Sequence, residues 1–212
     1  MYKQLLWFIG RFFICYFLLI GALAFGAGKP FATFFQSMGN NVFGTMWENV
    51  QVQFKPSILS GGTVRFRDND TQILITNQAL QLPSGAPPMG SVNTNSRLQG
   101  FLPMAMLLSL CFAIPVQWKR KLTITALALF LLGVWVSLLL GLVIVLYGEL
   151  SGMGWYGFST ETKALLQKMV ETIVMNQIGI SYVMPSLLWG IVLLVTGDYR
   201  KILDLVKPIK EK

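Results

Sequence analysis

The sequence predicts a mainly α integral membrane protein with four transmembrane helices and a small extracytoplasmic α+β segment between the first two. Three observations carry that expectation. The runs Phe101 to Trp118, Leu122 to Tyr147 and Ile178 to Gly197 contain no charged residue, and Leu5 to Ala27 is broken only by Arg11. The chain of 212 residues is 54% hydrophobic and 12% charged, where a soluble domain carries about 25% charged residues. A bilayer's hydrocarbon core is about 30 Å thick and takes roughly 20 apolar residues to cross as a helix. The expected order is span 1–27, segment 28–99, span 100–118, turn 119–121, span 122–147, loop 148–177, span 178–197 and tail 198–212.

Charge sets the orientation. With four spans and an inside N-terminus, Lys3, Arg11, Lys119, Arg120, Lys121, Arg200, Lys201, Lys207, Lys210 and Lys212 lie inside, against Asp198, Asp204 and Glu211. Outside lie Lys29, Lys55, Arg65, Arg67, Arg97, Lys163 and Lys168 against Glu48, Asp68, Asp70, Glu149, Glu161 and Glu171. Basic groups in short loops beside span ends hold those loops in the cytoplasm, so both termini are expected there. The basic groups cluster at span ends rather than on a soluble face, which favours anionic lipid head groups at Lys119, Arg120 and Lys121 and no nucleic acid.

The first run also has a secretory-signal reading: Lys3 and Arg11 form a basic head and Ala22-Leu23-Ala24 a small-residue cleavage pattern. Apolar residues upstream of Arg11 favour a retained anchor, because an Arg so placed can snorkel to the inner head groups.

Past Gly28, Pro30 suits a first helical turn. Phe31, Phe34, Phe35, Met38, Val42, Met46 and Trp47 recur at spacings of three and four, an amphipathic helix. Gly39-Asn40-Asn41 leaves one helix or two short ones open. From Val50 the period becomes two: Val50, Val52 and Phe54 alternate with Gln51 and Gln53, and Val64 and Phe66 with Arg65 and Arg67. Ile73 opens another β-branched run. The expectation is a hairpin of Thr63–Arg67 with Gln72–Gln81, or three strands. Asp68 and Asp70 read as a solvated turn. Pro83 to Ser96, rich in Pro, Gly, Ser and Asn, reads as a flexible linker. After the third span, glycines mark a loop, Ser159 or Thr160 caps a helix, and Leu165, Leu166, Met169, Val170, Ile173 and Val174 line its apolar face.

Chemistry is sparse. The chain has no histidine, which removes Ser/His and Cys/His catalysis and most transition-metal sites. Cys15 and Cys111 fall inside spans and behave there as small hydrophobes; a thiol enzyme built on Cys111 is the minor reading. No catalytic, cofactor-binding or metal residue is assigned. Polar groups within the spans are few and lie near span ends or within reach of their own helix backbone, unlike a conduction path. The expected function is a non-enzymatic accessory or scaffold subunit whose outer segment contacts a partner membrane protein; the alternative is an oligomeric small transporter or channel component.

Around the second span the chain reads Arg97-Leu98-Gln99-Gly100-Phe101-Leu102-Pro103 and then Ala113-Ile114-Pro115-Val116-Gln117-Trp118-Lys119-Arg120-Lys121. This pattern resembles small membrane proteins that accompany exosortases in bacterial protein sorting, over about residues 97–148. The resemblance implies a multi-pass protein of the bacterial inner membrane whose partner is an exosortase-like cysteine transpeptidase. The transpeptidases use Cys, Arg and His. Cys111 and Arg97 are present, but no His is, so no catalytic role carries over.

Overall fold

The computed structural model describes residues 2–57, 68–81, 85–150, 157–173 and 179–206. In them the chain is mostly helical, with one three-stranded antiparallel sheet. It divides into two compact units: residues 1–27, 102–134 and 178–212 form one, and residues 28–101 and 135–177 the other.

In the first unit, α1 (Tyr2–Ala22) is an almost unbroken apolar helix, about 32 Å long at 1.5 Å per residue. It ends where Gly26 takes φ +104°, a backbone conformation that any Cβ would oppose. The chain then enters α2 (Gly28–Phe43) of the second unit. The second and fourth apolar runs form shorter helices, α3 (Leu102–Ala113) and α6 (Met184–Thr196). Each follows a wider, π-type turn, Arg97–Phe101 and Gly179–Val183. Both turns precede a proline, Pro103 or Pro185, which cannot donate to the carbonyl four residues back, so the backbone widens there. α7 (Tyr199–Val206) follows Gly197, whose left-handed φ of 73° closes α6.

α4 (Trp118–Leu150) is the longest helix, 33 residues and about 50 Å. Its first half belongs to the first unit and its second half to the other. Among the described residues, two helical stretches, Leu5–Phe43 (bent at Phe25–Gly26) and Trp118–Leu150, are long and apolar enough to cross a membrane.

The first unit buries α3 on nearly all sides, through Leu102, Ala105, Leu107, Leu110, Cys111 and Ala113. Ile124, Ala128 and Leu132 of α4 and Leu188 and Val192 of α6 recur every four residues on buried faces. The outward faces remain apolar: Phe13, Ile14, Phe17 and Leu18 of α1, Phe130 of α4, Leu187, Leu194 and Val195 of α6 are all exposed. A monomeric soluble protein seldom leaves that much contiguous apolar surface open.

Lys119-Arg120-Lys121, expected as a turn, is instead the first turn of α4; the connection is Ile114–Gln117. Pro115 ends α3, and helix resumes at Trp118. Cations at a helix start oppose its dipole, and two of the three are offset locally. The Lys121 ammonium donates to the Phe112 carbonyl at the end of α3 (2.8 Å), and Arg120 Nε donates to Asp198 Oδ2 (2.8 Å).

The second unit is built on the sheet β1 (Val50–Pro56), β2 (Thr71–Asn77) and β3 (Met89–Thr94), in that order. Val52 faces Ile75 and Phe54 faces Ile73; Ile73 in turn faces Val92. Val50, Val52, Phe54, Ile73 and Ile75 point inward and form one core with Phe35 and Phe43 of α2 and Leu140 and Ile144 of α4. So the later part of the expected third span covers a sheet.

Two expectations change here. The segment Pro83 to Ser96 is not all linker, since Met89–Thr94 is strand β3. Its low hydrophobicity hid it: β2 supplies the backbone partner, and strand preference follows such neighbours. The first strand is Val50–Pro56, paired with β2; Thr63–Arg67 lies outside the described residues. Gly39-Asn40-Asn41 does not break α2, which stops at Phe43, before Met46 and Trp47. α5 (Thr160–Ile173) starts as expected, with Ser159 Oγ accepting from the Thr162 N–H at 3.3 Å.

Candidate functional site

Alternation makes the sheet two-faced. Its outer face carries Gln51, Gln53 and Lys55 on β1, Gln72, Leu74 and Thr76 on β2, and Met89, Ser91 and Asn93 on β3. Lys55 is the single charge in that grid, and amide and hydroxyl groups dominate it. β1 and β3 are the edges, and an edge strand offers backbone groups to another chain.

The β1 edge is capped at Phe54 from within the fold. Asn40 on α2 donates from Nδ2 to the Phe54 carbonyl (3.1 Å) and accepts from the Phe54 N–H at Oδ1 (2.7 Å). One side-chain amide thus supplies the paired bonds that a neighbouring strand would make. Gly39 permits that approach: a Cβ there would sit 2.6 Å from the Phe54 ring. The residues that looked like a helix interruption are where the helix meets the sheet. On β3, no further strand pairs along the far edge among the described residues.

Below the sheet, where β2 begins and the π-type turn at Arg97 starts, lies a buried polar knot. Asp70 is 6% exposed, in contrast to the solvated turn expected of it. Its Oδ1 accepts from the Ser96 N–H (3.0 Å) and the Thr71 hydroxyl (3.0 Å), and Oδ2 accepts from the Ser96 hydroxyl (2.8 Å). Arg97 Nε stands 3.7 Å from Oδ2, an ion pair rather than a hydrogen bond. Asn95 caps the following turn, its Oδ1 accepting from the N–H groups of Arg97 (3.0 Å) and Leu98 (3.1 Å). Gln36 of α2 joins by donating to Thr71 Oγ1 at 3.2 Å. Position alone hid Asp70; Asn95 carried a readable signal, a capping residue shortly before an apolar run.

A second buried carboxylate, Glu149, closes α4. Its Oε2 lies 3.2 Å from the Lys163 ammonium of α5. Both groups fall outside the spans the sequence marks, yet Glu149 is fully buried, because α5 folds back over the end of α4. Val143 and Leu146 of α4 meet Val170 of α5 in the same contact.

In the first unit, Arg120 Nη2 also donates to the Thr196 carbonyl (2.9 Å), tying α4 to the end of α6. Arg11 folds back over the Trp7 ring, 3.4 Å from its centroid, as side chains on a helix tilt toward its N-terminus. Cys111 is fully buried and Cys15 partly so. Among the described residues, no group of three or more His, Cys, Asp or Glu side chains is placed to hold a metal.

The motif residues at the second span have visible work in the fold. Arg97 pairs with Asp70, Gly100 lies so close to Phe31 that a Cβ would be 3.0 Å from its ring, and Pro103 opens α3. No protein-family model, curated protein or solved structure matches the chain.

Proposed function

We propose that the chain is a non-enzymatic, multi-pass accessory subunit of a bacterial inner membrane, whose α+β unit contacts a partner membrane protein on the extracytoplasmic side. One observation carries this reading: a sheet with its own core, an amide-rich outer face and a β3 edge that no strand pairs among the described residues is folded on a chain that also holds two helical stretches long and apolar enough to cross a membrane. Edge pairing by backbone, with side chains of the outer face selecting the sequence, is an established mode of recognition. The resemblance around residues 97–148 names an exosortase-like enzyme as the partner class.

In this reading α1, α3 with the π-type turn before it, the first half of α4, and α6 with the π-type turn before it cross the bilayer. The first unit favours that topology. The Arg120–Asp198 and Lys121–Phe112 bonds bring the start of α4 together with the ends of α3 and α6, so those helices alternate in direction. Arg11 leaning toward Trp7 points its charge toward the N-terminal end of α1. Lys119 and Arg200, both exposed, then face anionic lipid head groups beside the half-exposed Arg120.

Three hydroxyls inside the helices are bonded to their own helix backbone. Ser109 donates to the Ala105 carbonyl (2.7 Å), Ser186 to Tyr182 (2.7 Å) and Thr196 to Val192 (2.9 Å). That leaves little to replace an ion's hydration and favours the accessory reading over the alternative, an oligomeric transporter or channel component. The observation on the other side is the Tyr16–Tyr182 hydroxyl pair at 3.2 Å; solute flux through reconstituted protein, lost in Tyr16→Phe, would establish the alternative.

The test is affinity purification in mild detergent, of the natural chain and of a Gln53→Arg/Ser91→Arg variant. The expected result is one specific membrane protein recovered with the natural chain and lost with the variant. Repeated recovery of the chain alone, or unchanged recovery by the variant, overturns the proposal.

A further inference from the structure

α2 divides into three faces: one packs on the sheet, a polar one reaches it through Asn40, and the third is apolar and exposed. Gly28, Ala32, Phe35, Gly39 and Phe43 are buried; successive spacings of four, three, four and four put them on one line, against the sheet. Lys29, Thr33, Ser37 and Asn40 form a polar line on one side of it. Phe34, Met38 and Val42, each four apart, form an apolar line on the other side, and all three are exposed. The apolar arc of this helix is therefore about twice as wide as the sheet covers.

We propose that this second line is a lipid-contact face, with Phe34, Met38 and Val42 inserted at the boundary between head groups and acyl chains. The inference rests on the membrane-spanning reading of α1 given above. Three features select lipid over a protein partner. The chain reaches α2 directly from α1, and Phe25 at the bend is 93% exposed. At 1.5 Å per residue Phe34 is about 9 Å, and Val42 about 21 Å, from the start of α2, so the face begins beside the point where the chain leaves the bilayer. The line holds no charge and no hydrogen-bonding group, and the one charge of α2, Lys29, lies on its opposite, polar side, the distribution of a helix lying in an interface. The outer sheet face, by contrast, is amide and hydroxyl, suited to water or a polar partner. The two surfaces divide the labour: α2 seats the unit on lipid, and the β3 edge and outer face stay free.

The protein carries its own reporters. Met38 lies on the proposed lipid face and Met89 on the outer sheet face, 48% and 65% exposed. Those values alone make their reactivities similar. The natural chain, reconstituted at one copy per lipid nanodisc, is treated with a charged water-soluble oxidant, and methionine sulfoxide is mapped by mass spectrometry. Met38 is expected to oxidise at least about tenfold more slowly than Met89, since lipid excludes the oxidant from one sulfur and water delivers it to the other. A Ser37→Met variant, with the new thioether on the polar line one residue away, is expected to oxidise there at the Met89 rate. Comparable rates at Met38 and Met89, or equal protection at positions 37 and 38, overturn the proposal. A single copy per disc removes self-association as a source of protection. Alkaline carbonate extraction separates the two readings: release of the chain defeats the membrane reading itself, while retention with a fast Met38 defeats only this inference.

Discussion

Asp70 and Arg97 show how a single pair can hold two elements in register. The carboxylate is fixed by three hydrogen bonds and the guanidinium is 12% exposed. Breaking such a pair from one side strands a buried charge, at about 3–5 kcal/mol, while replacing both partners with apolar groups of similar volume is often near neutral. Asp70→Asn is therefore expected to lower the melting temperature of the detergent-solubilised protein markedly. Adding Arg97→Met should recover part of the loss; a double variant no better than the single would show that the ion pair is not the cause. Asn40 gives a second residue-scale expectation. Asn40→Leu leaves the Phe54 backbone without its side-chain partner, at about 1–3 kcal/mol, and opens the β1 edge. Loss of stability accompanied by concentration-dependent association, read by size-exclusion chromatography, is the expected signature.

Among the elements, α4 carries the greatest range of duties, and its sequence gives little sign of the change along it. Residues 122–134 expose Leu122, Phe130 and Val134, whereas Leu140, Val143, Ile144 and Leu146 close the sheet core and the α5 contact. Hydropathy is high throughout because both environments reward apolar side chains. Glu149 and Lys163 hold α5 against the end of that helix, but unequally: the carboxylate is fully buried and the ammonium is 32% exposed. Lys163→Met is expected to cost more than Glu149→Gln. The first leaves a buried carboxylate without this counter-charge, and the second leaves an ammonium that water can reach. Limited proteolysis in detergent checks the order, α5 being released faster in Lys163→Met than in Glu149→Gln. Gly39→Ala tests the contact between α2 and β1. The added methyl meets the Phe54 ring, and overpacking of this kind costs about 1–3 kcal/mol, visible as a lowered denaturation midpoint.

At the scale of the whole molecule, topology is the claim with the widest consequences. If both termini and the start of α4 are cytoplasmic, Ser91→Cys should react with a membrane-impermeant maleimide in intact cells (outer membrane permeabilised), and Lys119→Cys only after lysis. The reverse pattern would invert the proposed orientation and move the sheet to the cytoplasm. The native thiols interfere little, since Cys111 is buried and Cys15 half-buried on α1.

Sequence by itself determined the mainly helical, apolar composition, the positions of the apolar runs, the amphipathic character of α2 and α5, a cap at Ser159 or Thr160, the alternation of β1 and the β-branched run of β2. Those are properties of composition and period, and a local window contains them. Only tertiary structure decided the rest. β3 became a strand because β2 offered it a backbone partner, Asp70 became buried because Ser96 and Arg97 returned to it, and Asn40 capped an edge because Gly39 let α2 come near Phe54. Each depends on residues distant in the chain meeting in space. Hydrogen bonds and close packing reward that meeting only after the fold has formed, and no periodicity announces it beforehand.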